Sequence, residues 1–232
     1  MIKIGGLQKT TLIDYPGRVA ATIFLVGCNF RCPFCYSPEL VLKDKIKVQP
    51  KIPEGDFFRF LQKRKGMLEG VVICGGEPTI HKELPLFLEK IKRLGYLVKL
   101  DTNGSNPKML SSLIKKELVD YVAMDLKAQK KKNNIVAGVE VNLENIEKSI
   151  DILREGVVDY EFRTTVVPGI LKKEDIIEIA RWLSPAKKYY LQNFVPKETI
   201  DIKMQKARPY PPKYLLSIIK EVSDLFEICQ VR

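Results

Sequence analysis

Three cysteines fall inside eight residues, Cys28-Asn29-Phe30-Arg31-Cys32-Pro33-Phe34-Cys35. Thiolates are soft ligands and favour zinc or iron–sulfur clusters. Gaps of three and then two residues let one loop wrap a single metal centre. The chain has five cysteines, an odd number that does not suit a disulfide framework. Neighbours this close in an intracellular protein read as metal ligands. A cubane of four irons has four corners, so three thiolates leave one iron open to a ligand that is not protein. A ferredoxin-type electron carrier would want a fourth cysteine. Cys74 and Cys229 are far apart in the chain, and each reads as a small buried hydrophobe. Zinc is the alternative, with His81, the one histidine, as the fourth ligand. Structural zinc sites usually bring their ligands in two close pairs, which counts against it.

A second set of residues suits a zwitterion. Gly75-Gly76-Glu77-Pro78 follows an apolar run, and adjacent glycines let backbone approach a ligand closely. Backbone carbonyls and the Glu77 carboxylate would offer acceptors to an ammonium group. Asp101 and Asp125 end neighbouring strands and could flank the same ligand. Lys127, two residues beyond Asp125, points to the same side if the strand continues, and suits a carboxylate. Each motif also has a bland reading: paired glycines make tight turns, and aspartates at strand ends make N-caps and turns.

Alternating strands and helices must position these groups. Apolar or β-branched runs at Val19–Val26, Val71–Cys74, Tyr96–Leu100, Val119–Met124, Tyr160–Val167 and Lys188–Phe194 read as six strands. Between them, helical periodicity appears in Glu54–Lys65, from Leu84 to Leu94, in Pro107–Lys116, from Leu143 to Leu153, and from Ile176 to Leu183. A last long helix is expected over Lys213–Phe226. Residues 1–18 read as an extension before the first strand, with a turn at Tyr15-Pro16-Gly17. Strict alternation predicts a parallel sheet with helices packed outside it. Six units are too few for the closed eight-stranded barrel of about 250 residues. The fold expected is therefore an α/β open, partial (β/α)6 barrel, with a doubly wound sheet as the alternative. Ligands in such folds bind at the carboxyl ends of strands. Each expected strand is followed by polar residues there: the cysteines, Gly-Gly-Glu-Pro, Asp101-Thr102-Asn103-Gly104, Asp125-Leu126-Lys127, Arg163-Thr164-Thr165 and Gln192-Asn193.

Composition narrows the class. With 232 residues, 45% hydrophobic and 29% charged, the chain has ordinary globular usage and no composition break that marks a second domain. The apolar run from Val19 to Cys28 is about half the length of a membrane span. Met1-Ile2-Lys3-Ile4-Gly5-Gly6 lacks the apolar core of a secretory signal, so a soluble cytoplasmic protein with no membrane partner is expected. The net charge is +11. Lysines spread along most helical stretches read as solvated surface, and Lys130-Lys131-Lys132 as a loop, so nucleic acid is not the expected partner.

The cysteine motif, with Phe34 before its last cysteine and Gly-Gly-Glu-Pro at the next strand end, resembles the radical S-adenosylmethionine superfamily. Gly5-Gly6-Leu7-Gln8-Lys9-Thr10-Thr11-Leu12-Ile13-Asp14-Tyr15-Pro16-Gly17, Asp101-Thr102-Asn103-Gly104, Asp125-Leu126-Lys127 and Val166-Val167-Pro168-Gly169 look like the glycyl-radical-enzyme activating enzymes. The N-terminal stretch is most similar to the anaerobic ribonucleoside-triphosphate reductase activating proteins of the longer kind. The resemblance covers nearly all of residues 1–232, as one radical S-adenosylmethionine domain.

The resemblance implies a [4Fe-4S] cluster on Cys28, Cys32 and Cys35, whose open iron is chelated by S-adenosylmethionine. It implies that Gly75, Gly76 and Glu77 meet the methionine ammonium, helped by Asp101 and Asp125, and that Lys127 pairs with the carboxylate. Asn103, Phe34, Thr165 and Arg163 would lie near the cofactor. One electron from an external donor such as flavodoxin or ferredoxin would cleave the cofactor, and the 5′-deoxyadenosyl radical would take hydrogen from a glycine of a partner enzyme. Anaerobic ribonucleotide reductase is the expected partner. Two departures stand out. Tyr36-Ser37-Pro38 replaces the family's frequent His-Asn-Pro, and Asn193 or Gln192 must serve where some relatives place a histidine by the ribose. The competing readings are a radical enzyme acting on a small molecule, a zinc-stabilised binding module, and a basic RNA-binding protein.

Overall fold

A computed structural model describes residues 2–232. Eight strands form one sheet: β1 (Ile4–Thr11), β2 (Ala20–Leu25), β3 (Gly70–Gly75), β4 (Leu97–Thr102), β5 (Tyr121–Asp125), β6 (Asp159–Val166), β7 (Ala186–Asn193) and β8 (Phe226–Val231). The helices are α1 (Pro38–Val41), α2 (Lys43–Val48), α3 (Glu54–Lys63), α4 (Leu84–Arg93), α5 (Pro107–Lys115), α6 (Asn133–Ala137), α7 (Leu143–Arg154), α8 (Lys173–Leu183) and α9 (Pro212–Val222). The spatial order of the strands follows the chain from β1 to β8 without reversal. A doubly wound sheet would reverse at a switch point, so the open barrel describes this fold. β2 through β8 pair in parallel, β1 runs antiparallel to β2, and β1 and β8 do not pair with each other.

The six expected strands are the inner six of the eight. The two additional strands lie at the edges, where sequence signals are weakest. Residues 4–11 (Met1 lies outside the described residues) form β1 rather than an extension, despite Gly5 and Gly6. The last helix stops at Val222, and Phe226 begins β8 instead of ending a helix. From Ile228 to Val231 burial alternates, the period-two pattern of a half-covered strand.

Alternate residues of each strand serve different purposes. On β3, β4, β5 and β6, Ile73, Val98, Leu100, Val122, Met124 and Phe162 face outward into the main core. The helices close over them; α4, for example, buries Leu84, Phe87, Leu88 and Ile91. Each such side chain contributes about 1.5–3 kcal/mol when fully buried. Inward-facing Val72 and Tyr121 form a separate small cluster with Ala20 and Tyr15 at the base of the barrel. The β1–β2 connection delivers Tyr15 there. Thr22 donates to Asp14 Oδ2 at 2.6 Å, and Arg18 N donates to Tyr15 O at 3.2 Å across the expected turn. Among the described residues, no helix is long and apolar enough to cross a membrane.

Candidate functional site

The cysteine loop leaves the end of β2 and is held from three sides. Gly27 N donates to Leu40 O of α1 at 2.7 Å, and Arg31 N donates to Ala137 O of α6 at 2.7 Å. From the β7–α9 connection, Ile200 N donates to Cys35 O at 3.2 Å and Asp201 N to Pro33 O at 2.9 Å. Arg31 turns its guanidinium back onto the Cys28 and Phe30 carbonyls, each at 2.6 Å. Tyr36 stacks on Phe194 and accepts from Val195 N at 2.8 Å, so this departure from the family pattern anchors the loop to the end of β7. Burial pushes the Cys28 thiol up to about 12 and the Cys32 thiol to about 11, and raises Cys35 as well.

The β3 loop packs against this one through backbone alone. Gly76 N donates to Leu25 O and Glu77 N to Gly27 O, both at 2.8 Å. A methyl group on Gly76 would lie 1.8 Å from the Gly27 carbonyl oxygen, and Gly75 has φ +114°, so only glycine fits both positions. Glu77 is engaged within the protein. Its carboxylate is enclosed and takes four protein donors: Thr79 N (3.1 Å), Thr79 Oγ1 (2.5 Å), Thr102 Oγ1 (2.7 Å) and Asn103 N (2.6 Å). It ties the β3 loop to the β4 loop. Burial raises its pKa despite these donors. Asn103 reaches on to Asn29 Oδ1 at 3.0 Å, joining the β4 loop to the cysteine loop.

The inner face of β4, β5 and β6 is charged. Arg163 donates from Nε to Asp125 Oδ1 at 2.9 Å and from Nη2 to Asp101 Oδ2 at 3.0 Å. Lys99 also pairs with Asp101, and Lys127 approaches Asp125 Oδ2 at 3.3 Å. Behind them, Glu161 accepts from Tyr121 Oη and from Arg232 Nη1, both at 2.9 Å. The Arg232 guanidinium lies 3.4 Å from the centre of the Tyr190 ring. Burial works to raise the Asp125 pKa, but the Arg163 and Lys127 charges more than reverse it and hold the carboxyl below its usual range. The same pairing keeps Lys127 and Arg163 cationic.

The three loops, with Asp101, Asp125, Lys127 and Arg163, line one cavity of about 280 Å³, and Lys99, Glu161 and Arg232 lie outside its lining. Of the residues singled out in the sequence, Cys28, Cys32, Phe34, Cys35, Gly75, Gly76, Glu77, Asp101, Asn103, Asp125, Lys127, Arg163 and Thr165 all border it. Asn193 does not. Its amide donates to Tyr210 O at 2.8 Å, and its neighbour Gln192 faces the cavity. Side chains alternate along a strand, so only one of the two can. His81 is absent from the lining. Cys74, read as a buried hydrophobe, borders the cavity, with burial pushing its thiol up to about 12. Sequence reasoning missed Lys99, Glu161 and Arg232. Lys99 and Glu161 sit two residues before Asp101 and Arg163, and period-two counting along those strands would have found them. Arg232 had no such signal, because β8 itself was unrecognised. A larger groove of about 920 Å³ between α5 and α7 holds lysines and serines but none of these groups.

Comparison with known proteins agrees with this geometry. Residues 22–183 match the family model described as the Radical SAM superfamily. A Methanocaldococcus jannaschii protein provisionally named a glycyl-radical enzyme activating enzyme is 34% identical over 96% of this chain and 92% of its own length. A second protein of that organism, with the same provisional name, is 25% identical over 92% of this chain and 84% of its own. In fold, the chain is similar to Streptococcus suis SuiB (TM-score 0.66, 18% identity), covering 88% of this chain and 47% of that one. Escherichia coli QueE superposes with TM-score 0.59 at 17% identity, covering 100% of this chain and 94% of that one. The matched span and the near-full-length relative establish that this chain belongs to the radical S-adenosylmethionine superfamily.

Proposed function

We propose that this radical S-adenosylmethionine enzyme generates a glycyl radical on a partner enzyme, with anaerobic ribonucleotide reductase as the partner and the cytoplasm as its location. The family implies a [4Fe-4S] cluster and S-adenosylmethionine, and the donor set fits them. Among the described residues, no three histidine, cysteine or acidic side chains are grouped as a single metal ion would need. A cubane asks for something else: three soft thiols spread around one space, each meeting its own iron. Cys28, Cys32 and Cys35 border the same cavity and would hold the cluster, releasing their protons on loading. When bound and reduced, the cluster and cofactor together supply a 5′-deoxyadenosyl radical.

The protein's own part is to bind, orient and exclude. Lys127 pairs with the methionine carboxylate. Its 3.3 Å contact to Asp125 is long, and Arg163 keeps Asp125 paired when Lys127 turns away. The Gly75 and Gly76 backbone, with Asp101 and Asp125, faces the ammonium. Glu77 keeps the two rims in register through its four donors. Phe34, Thr165 and Gln192 border the adenosyl end. The unpaired edges of β1 and β8 leave the barrel open at one side, where a glycine-bearing loop would enter.

The observation that carries this reading is the single cavity in which three thiols face a lysine and paired carboxylates; the near-full-length likeness to a provisionally named activating enzyme supports its finer part. The test is anoxic reconstitution with iron and sulfide, followed by reduction with dithionite beside the partner carrying deuterated glycine. Near-equal iron and sulfide, S-adenosylmethionine cleavage and deuterium in 5′-deoxyadenosine are expected. Cleavage with no label from any glycyl-radical enzyme would favour a small-molecule substrate, and zinc in place of iron would overturn the reading.

A further inference from the structure

The net charge of +11 is unevenly spread. Residues 42–51 and 195–208 hold eight basic and three acidic residues, a net of +5 in 24 residues. α7 and α8, by contrast, each carry three acidic and two basic residues, and the other cationic runs, Lys63-Arg64-Lys65 and Lys130-Lys131-Lys132, are shorter. The two basic segments lie together. Lys45 Nζ donates to Glu198 Oε1 at 2.6 Å, and a groove of about 510 Å³ runs between them, with Pro38, Leu42, Ile200 and Ile202 in its walls. Lys43, Lys47, Lys197, Lys203, Lys206 and Arg208 of the same two segments are exposed. Val48 and Ile202 add apolar surface, 81% and 70% exposed.

This face lies directly outside the cysteine loop. Segment 195–208 supplies the two backbone donors that hold Cys35 and Pro33, and segment 42–51 continues from α1, which holds Gly27. We infer that it is the docking face for an acidic one-electron carrier protein that reduces the cluster, an inference that rests on the functional reading above. The carrier loses one electron and the cluster gains one; no bond forms or breaks in this step. Exposed cations interspersed with apolar side chains suit such a partner. Transient redox encounters use small interfaces, and complementary charge sets their association rate. The face also lies outside the loop rather than inside the cavity, so a docked carrier leaves the cavity to cofactor and substrate.

The test uses the reconstituted holoenzyme and an acidic flavodoxin. A triple variant, Lys43→Glu, Lys203→Glu and Lys206→Glu, is compared with a control triple on the α5–α7 groove, Lys108→Glu, Lys115→Glu and Lys148→Glu. Flavodoxin affinity is measured by titration calorimetry at low and high salt, and cluster reduction by stopped-flow absorbance. The docking triple should bind flavodoxin at least tenfold more weakly at low salt and be reduced correspondingly slowly. Reduction by dithionite and binding of S-adenosylmethionine should match wild type, which also reports an intact fold. The control triple should change flavodoxin binding less than twofold. Equal losses in both triples would reduce the effect to net charge and overturn the proposal. So would undiminished binding by the docking triple, or a loss confined to the glycyl-radical partner. If dithionite-reduced wild type cleaved no S-adenosylmethionine, the functional reading would fall, while the titrations would still decide the docking face.

Discussion

The two faces of the sheet are built from the same strands and obey different physics. Along β4, Val98 and Leu100 face outward into hydrocarbon, while Lys99 and Asp101 face inward into an ionic network. β6 repeats the pattern, with Phe162 outward and Glu161 and Arg163 inward. The outer face is stabilised by area removed from water, which tolerates changes of shape. The inner face depends on paired charges, where one missing partner strands another in a dry interior. The outer face therefore holds the barrel together, and the inner face sets the geometry of the cavity. Functional groups inside the barrel come with a structural obligation that the outer face does not share.

Substitutions should separate these two roles. The largest effect is expected at the rim: Gly76→Ala forces a methyl group into the Gly27 carbonyl, so S-adenosylmethionine binding should fall more than 100-fold in equilibrium dialysis. Next comes Arg163→Met on the inner face, which leaves Asp101 and Asp125 without their shared cation. It should cost about 3–5 kcal/mol in urea unfolding and also weaken cofactor binding. Leu100→Ala on the outer face should cost a comparable or smaller amount, about 2–5 kcal/mol. Its remaining folded fraction should nevertheless bind the cofactor with wild-type affinity; a large loss of affinity there would erase the distinction between the faces.

The smallest effect concerns pH. The folded-state pKa of Asp125 lies below the ordinary carboxylate value of 3.8. Its ionic contribution is therefore fully present above about pH 4 and is lost as pH falls below that value. The urea midpoint of wild type should drop as pH falls from 4 to 2, and Asp125→Asn should flatten part of that drop. An unchanged slope in the variant would remove Asp125 from the account of acid stability.

Much of the rim was legible because strand ends can be found from apolar runs and ligands gather at carboxyl ends. Cys28, Cys32 and Cys35 needed only their spacing. Asp101, Asp125, Lys127 and Arg163 needed only the end of a strand. The roles were less legible. Glu77 reads as a ligand group in sequence, yet four donors from its own and the neighbouring loop occupy it. Asn193 and Gln192 were equivalent candidates until the pleat of β7 turned one away. β1 and β8 escaped because one begins with paired glycines and the other follows a helix without a strong break.

The amino-acid order alone determined the alternation of strand and helix, the inner six strands, and the types of chemical group gathered at their ends. These follow from local rules: periodicity, turn chemistry and the spacing of soft ligands. Only tertiary structure decided which charges pair across strands, that Arg232 reaches Glu161, and that two distant basic segments share one face. Those depend on which residues from remote parts of the chain come within a few ångströms. The energy of an ion pair is set by that distance and by the water excluded around it, and neither quantity is written in local sequence.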